Sequence, residues 1–384
     1  MTNTQSTAIS RRTAIKVLAG VAAAGSAPEI ARGTVLGHGR LAHSDDTDGT
    51  CAFGSVFEDV VESLVTIRVF DRQAREFAQG SGWVYALDEG TVNVVTNWHV
   101  IFGSLGADVR FHTGEWRAAS ELLGFDLYSD LAVLRVEDPP SAATELSISD
   151  SLPRQGDSVA ALGAPIGLEE TITTGVVSAV NRSTTVGFEH FMYNVPSTIQ
   201  IDAATNPGNS GGPLVDCNRN LVGVIFAGTG PLIAENINFA VSKSMVTRIV
   251  PELVETGSFE HPYIGIHGIT ISPMLSRLNE LEEDTQGVYV EQTVDGFPGD
   301  LFLQGSTAVD RETGIPIGGD VLIEIDGNAI GTADELRNYL FAETRPEESI
   351  TVTLLRNGDE LEIEFMLEAK PDELERIQIR EPTM

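Results

Sequence analysis

IDAATNPGNSGGPLVD, residues 201–216, sets one serine, Ser210, among glycines between two apolar segments. Gly208 lies just before it, and Gly211 and Gly212 follow. Without a Cβ at these positions the backbone can enter a tight turn whose amides converge on one point. A serine hydroxyl is a poor nucleophile at its free pKa, and becomes reactive beside a base that a third group holds in one tautomer. On its own the stretch also reads as a flexible loop, so its meaning depends on what lies upstream.

Two upstream segments supply the missing groups. TNWHV, residues 96–100, places His99 just past the apolar run VNVV, and SDLAVLRV, residues 129–136, puts Asp130 directly before a buried-looking strand. His99 is the expected base, Asp130 the carboxylate that orients it and Ser210 the nucleophile. The backbone N–H groups of Gly208 and Ser210 are the expected oxyanion-hole donors, stabilising charge that grows only in the transition state. Asp126, four residues before Asp130, competes for the orienting role; Asp130 is preferred because it abuts the strand. The chain order His, Asp, Ser is that of chymotrypsin-like folds and differs from subtilisins and α/β hydrolases.

The rest of the chain reads as mainly β. VFEDVVESLVTI, residues 56–67, begins as a short helix and passes into a strand. Short strand-like runs follow, among them SGWVYAL, ADVRFH, SVAALG, TITTGVVSAV, LVGVIFAG and INFAVS, separated by Gly, Asn, Asp and Pro turns. No train of long helices intervenes, which argues against a doubly wound sheet. Residues 243–255 supply a closing helix, and a boundary is expected near Thr256-Gly257-Ser258. A second unit then reads as strands YIGIHGI, GVYVEQTV and DVLIEIDG, a helix TADELRNYLFAE begun by Thr332, and a hairpin turning at Asn357-Gly358.

These motifs together resemble the HtrA/Deg family. The resemblance covers about residues 54–368 and rests on TNWHV, SDLAVLRV, ALGAPIGLEETITTGVVSAVNR, IDAATNPGNSGGPLVD, GVIFAG and INFAVS. It implies a chymotrypsin-like double six-stranded β-barrel followed by a PDZ domain. It also implies a serine endopeptidase that degrades unfolded or misfolded exported proteins without any cofactor or metal, and a homotrimer built through the protease domains. The domains expected are 1–50 signal and leader, 51–257 protease, 258–368 PDZ and 369–384 charged tail. Ala204, matching the base of the S1 pocket, supplies no carboxylate, so an apolar residue before the scissile bond is expected rather than Lys or Arg. Ile225, Phe226 and Ala227 match the strand that pairs with substrate. Tyr263, Ile264, Gly265 and Ile266 resemble the carboxylate-binding loop and groove strand of a PDZ domain, which adds a peptide terminus to its sheet edge, with Leu336 and Leu340 on the facing helix. Phe53 and Phe57 read as trimer contacts or as core, and Trp98 departs from the small or polar residue the family carries before the histidine. The short DRQAREFAQG, residues 71–80, leaves no room for a long regulatory arm. Two rival readings are a peptide-binding or chaperone-like protein with a silent centre, and a general esterase.

Composition bounds the setting. With 56 acidic against 24 basic residues the formal charge is −32, and no basic stripe offers a nucleic acid a foothold. Lysine occurs only at 16, 243 and 370. A carboxylate-dense, lysine-poor surface is expected of a halophile, haloarchaeal-like protein, because molar salt shortens the Debye length to roughly 3 Å. Ser10-Arg11-Arg12-Thr13-Ala14-Ile15-Lys16, followed by the apolar VLAGVAAAGSA, resembles a twin-arginine export signal, cleaved or kept as a membrane tether. Cys51 and Cys217 are too few for a disulfide framework, and their separation in sequence leaves open whether they pair.

Overall fold

The computed structural model describes residues 51–71, 73–164, 170–188, 191–226 and 237–371. The signal-like leader, Ala227 and most of the expected charged tail lie outside the described residues. The first six strands are β1 (Leu64–Phe70), β2 (Glu76–Asp88), β3 (Thr91–Asn97), β4 (Gly106–Phe111), β5 (Trp116–Asp126) and β6 (Leu131–Glu137). They close into a barrel in the order β1-β2-β3-β6-β5-β4. In β4, Ala107, Val109 and Phe111 are buried while their neighbours are not, the period of two of a strand with one wet face.

A second six-stranded barrel follows, built from β7 (Ser158–Gly163), β8 (Thr171–Phe188), β9 (Phe191–Ile201), β10 (Pro213–Asp216), β11 (Leu221–Phe226) and β12 (Asn238–Ser242), in the order β10-β11-β12-β9-β8-β7. Every residue of β11 is buried, as a strand covered on both faces must be. The sequence expectation of a chymotrypsin-like double barrel therefore stands.

Among the described residues, three helices frame the barrels. The amphipathic start expected at residues 56–67 is α1 (Phe53–Val60) and a single 3-10 turn running into β1. The half-buried rings of Phe53 and Phe57 pack against the apolar core that spans both barrels. A short helical turn, α2 (Trp98–Ile101), follows β3. The closing helix α3 (Lys243–Glu255) starts at an N-cap, Ser242, whose hydroxyl accepts from the Ser244 N–H, and buries Met245, Val246, Ile249, Val250 and Leu253 in the core shared with the first barrel. Cys51, just before α1, is disulfide-bonded to Cys217 in the β10–β11 turn, their Cα atoms 5.3 Å apart. Beside the bridge, Asp59 of α1 pairs with Arg219 of the same turn.

The C-terminal unit contains β13 (Pro262–Tyr263), β14 (Ile266–Thr270), α4 (Pro273–Leu278), β15 (Val288–Thr293), α5 (Pro298–Phe302), β16 (Ala308–Val309), β17 (Pro316–Ile317), β18 (Val321–Ile325), β19 (Asn328–Ala329), α6 (Ala333–Glu343), β20 (Ser349–Arg356), β21 (Asp359–Met366) and β22 (Glu368–Ala369). Its sheet runs β14-β15-β18-β20-β21, so β14 is an edge strand, and β19 pairs with β18 off this path. Asn357 and Gly358 turn the last hairpin with φ of +54° and +86°, as a type I′ turn requires. Thr332 and Glu335 cap α6 reciprocally. Antiparallel pairing of β13 with β22 brings the two ends of the unit together.

The unit is seated on the barrels by α6. The Asn338 side chain donates to the Asn181 carbonyl at 2.7 Å and accepts from the Ser197 N–H at 2.8 Å, tying α6 to β8 and β9. Arg248 of α3 donates to the Ala342 and Thr344 carbonyls, satisfying the end of α6.

Candidate active site

The site lies where the two barrels meet. β3 delivers Thr96 and Asn97, and α2 turns His99 out of the strand; the turn after β5 delivers Asp130. His99 Nδ1–H donates to Asp130 Oδ2 at 2.6 Å, and the His99 backbone N–H donates to Asp130 Oδ1 at 2.9 Å. Asp130 is fully buried and its backbone is left-handed, φ +56°, a conformation that short polar side chains such as Asp tolerate best. Its carbonyl accepts from Trp98 N–H and from Asn97 Nδ2–H, so both atoms of the carboxylate and the peptide behind it are fixed. With Nδ1 carrying the proton, the opposite ring nitrogen, Nε2, is an acceptor, the form a general base must take.

Ser210 is carried by the turn before β10 of the second barrel. Its carbonyl accepts from the Ser81 N–H of β2 at 2.8 Å. A Cβ at Gly80 would meet the Val100 side chain and the Ser210 carbonyl together, and one at Gly211 would fall 2.1 Å from the Ser81 carbonyl and 2.3 Å from Thr96 Oγ1. The nucleophile turn is thus pressed against the strand end that carries His99, and only glycine with φ +86° fits at 211. Gly208 is also left-handed, φ +101°. Its carbonyl accepts from Ser81 Oγ, whose oxygen in turn accepts from the Ala164 N–H. Gly211 N–H and Gly212 N–H donate to the carbonyls of Ile225 and Asn209, which shapes the loop around Ser210.

The other residues singled out from the sequence fall differently. Ala204 is exposed, and its carbonyl accepts from Thr173 Oγ1. The Ile225 and Phe226 side chains are fully buried in the barrel cores, Phe226 stacked on Phe239, while the Ile225 peptide groups are bonded to Gly211 and Gly212. Trp98 packs inside the first barrel against Phe102 and Phe125. In the C-terminal unit Ile266 begins the edge strand, preceded by left-handed Gly265, φ +83°, and buried Ile264. Tyr263 lies edge-on to Phe297, and α6 lies beside β14 with Leu336 and Leu340 buried in the unit's own core. Ser81, Thr96 and Asn97 hold the site's peptides; Thr96 and Asn97 belong to the TNWHV motif, whereas nothing in a β-strand sequence separates Ser81 from an ordinary strand serine.

Asp126 has a partner of its own. Its Oδ1 accepts from His261 Nε2–H at 2.8 Å and its Oδ2 from the Ser129 N–H at 2.9 Å. Burial pushes this carboxyl up, but the His261 imidazole, through charge and hydrogen bond, and the bonds from Ser129 outweigh burial and hold it below its ordinary value.

Residues 80–224 match the family of trypsin-like peptidase domains, and residues 262–367 match the PDZ domain family. The chain is 30% identical over 305 residues to the serine protease Do-like HtrA of Bacillus subtilis strain 168, covering 77% of this chain and 65% of that protein. It is 30% identical over 328 residues to the periplasmic pH-dependent serine endoprotease DegQ of Escherichia coli strain K12, covering 84% of this chain and 66% of that protein. The chain thus spans just under two thirds of the length of either relative. Among solved structures, the HtrA-type protease AlgW with a tripeptide superposes with a TM-score of 0.65 at 27% identity, over 83% of this chain and 98% of that one.

Proposed function

Because the chain belongs to the HtrA/Deg family, in which a trypsin-like peptidase domain is joined to a PDZ domain, we propose that it is a serine endopeptidase acting on unfolded or damaged exported proteins. The observation that carries this reading is the His99–Asp130 pair, 2.6 Å apart, with the Ser210 turn packed on the same strand end. In this reading Ser210 Oγ attacks the substrate carbonyl while His99 Nε2 takes its proton. Asp130 keeps the proton of His99 on Nδ1 and stabilises the imidazolium that forms. The Gly208 and Ser210 N–H groups receive the oxyanion; His99 then returns its proton to the leaving amine, and water releases the acyl-enzyme.

The finer parts of the reading rest on the same frame. Peptide termini are taken up by the C-terminal unit between edge strand β14, from Tyr263 through Ile266, and α6 with Leu336 and Leu340. An apolar residue is preferred before the scissile bond, since Ala204 brings no carboxylate. The twin-arginine-like segment and the periplasmic setting of the relative DegQ support an envelope or extracellular site of action, with an uncleaved signal as a tether. The protein works as a homotrimer with Phe53 and Phe57 near the contact. Salt adaptation follows from the charge of −32.

Cleavage of unfolded casein in molar salt tests the central claim. The wild-type chain degrades casein, and Ser210→Ala loses on the order of 10⁶-fold in turnover. Folded wild-type protein that leaves casein intact even with peptide ligands present would favour the binding or chaperone-like alternative.

A further inference from the structure

Asp126 and His261 stand outside the catalytic constellation, yet both are almost fully buried and both touch it through one turn. Residues 127–130 leave β5, and the Asp130 N–H donates to the Leu127 carbonyl at 3.3 Å. The Asp126 carboxylate accepts from Ser129 N–H, and at a longer 3.4 Å from Tyr128 N–H, so it gathers the amides of the turn that ends in left-handed Asp130. Besides these amides of the turn, the carboxylate is held by His261, from the segment entering the C-terminal unit, 135 residues away in sequence.

The histidine is itself fixed. Its ring is caged by Tyr128, Phe259 and Phe341 at centroid distances of 5.1, 4.8 and 4.5 Å. Its Nδ1 is buried with no hydrogen-bond partner among the described residues, so the one polar contact of the ring is the bond to Asp126. A buried imidazole with one nitrogen unsatisfied is costly to keep where an apolar ring would fill the same cage. The donor at Nε2 is what an apolar ring could not supply. The cage is closed by the far end of the unit, where Lys370 lies over the Tyr128 ring and its N–H donates to the His261 carbonyl.

We propose that Asp126 and His261 are positioning residues for peptide hydrolysis: the His261 donor fixes the Asp126 carboxylate, which fixes the 127–130 turn and with it the aim of Asp130 at His99. The proposal rests on the protease reading for its rate effect, but not for its structural effect, because the hydrogen bond from His99 Nδ1–H to Asp130 exists in the resting protein. Phenylalanine fits the aromatic cage and removes the donor. Glutamine keeps an N–H at the place of Nε2.

The test compares the full chain with His261→Phe, His261→Gln and Asp126→Asn in molar salt, reading the low-field proton resonance of the His99–Asp130 bond, and kcat and KM on a casein-derived peptide. His261→Phe is expected to broaden or lose the resonance and to lower kcat about tenfold or more at unchanged KM, since an ångström of misplacement can cost ~10²-fold. His261→Gln is expected to keep both near wild type. A wild-type resonance and kcat in His261→Phe, or equal damage in His261→Gln, overturns the proposal. Should His261→Phe fail to fold, Asp126→Asn decides, because it keeps an acceptor for Ser129 and sets an amide N–H against His261; an unchanged resonance there overturns the proposal equally. A wild-type protein that shows the resonance and cleaves nothing refutes the protease reading instead, with the positioning claim judged on the resonance alone.

Discussion

Asp130 does three things at once: it accepts two hydrogen bonds from one histidine, carries them on a fully buried carboxylate, and occupies left-handed backbone. Asn at this position keeps the shape but offers an N–H where His99 must donate, which turns the ring to the wrong tautomer. Asp130→Asn is therefore expected to fold normally and to lose about 10⁴-fold in kcat. Asp126 makes a different prediction, about pH. Its folded pKa is depressed below the ordinary 3.8, so its contribution to stability is complete above that value and is lost as pH falls through the lower folded value. Asp126→Asn, followed by acid unfolding, is expected to show a shallower loss of stability below pH 3.8 than wild type; identical acid limbs would sink the idea. At this scale the identities of His99, Asp130 and Ser210 were legible because the chemistry demands those residue types in that order. The work of His261 on Asp126 was not, since it depends on contact across 135 residues that no local pattern encodes.

Elements were more legible than contacts. The closing helix, the Asn357-Gly358 turn, the Thr332 cap and most of the strands follow from a local pattern of burial or backbone preference, but the expected strand YIGIHGI is split at left-handed Gly265 into β13 and β14. The polar stretch 307–317 folds back on itself as the small β16–β17 hairpin. The bond between Cys51 and Cys217 was undecided by spacing and is decided by topology, because α1 lies over the β10–β11 turn. It closes a loop of 166 residues, and in the chain-entropy account such a link stabilises by about 5 kcal/mol, chiefly by restricting the unfolded chain. Cys217→Ser is expected to lower the unfolding temperature of the barrels in calorimetry, with a matching drop when reductant is added to wild type and none when it is added to the variant.

The whole molecule carries a formal charge of −32 on 384 residues. Repulsion among its carboxylates reaches about 10 Å at 0.1 M salt and roughly 3 Å at 1 M. Thermal unfolding of the full chain is therefore expected to move upward steadily from tenth-molar to molar potassium chloride, and a midpoint indifferent to salt would contradict adaptation to brine. The strand pair that joins Pro262–Tyr263 to Glu368–Ala369 bears on the molecule in another way. Because the C-terminal unit is entered and left at one point, it is a cassette: it can be lengthened, exchanged or lifted out without changing the gap the remaining chain must bridge. His261 stands on the protease side of that point, so an exchange made at the strand pair leaves the donor to Asp126 in the host chain while replacing Phe341, one wall of its cage.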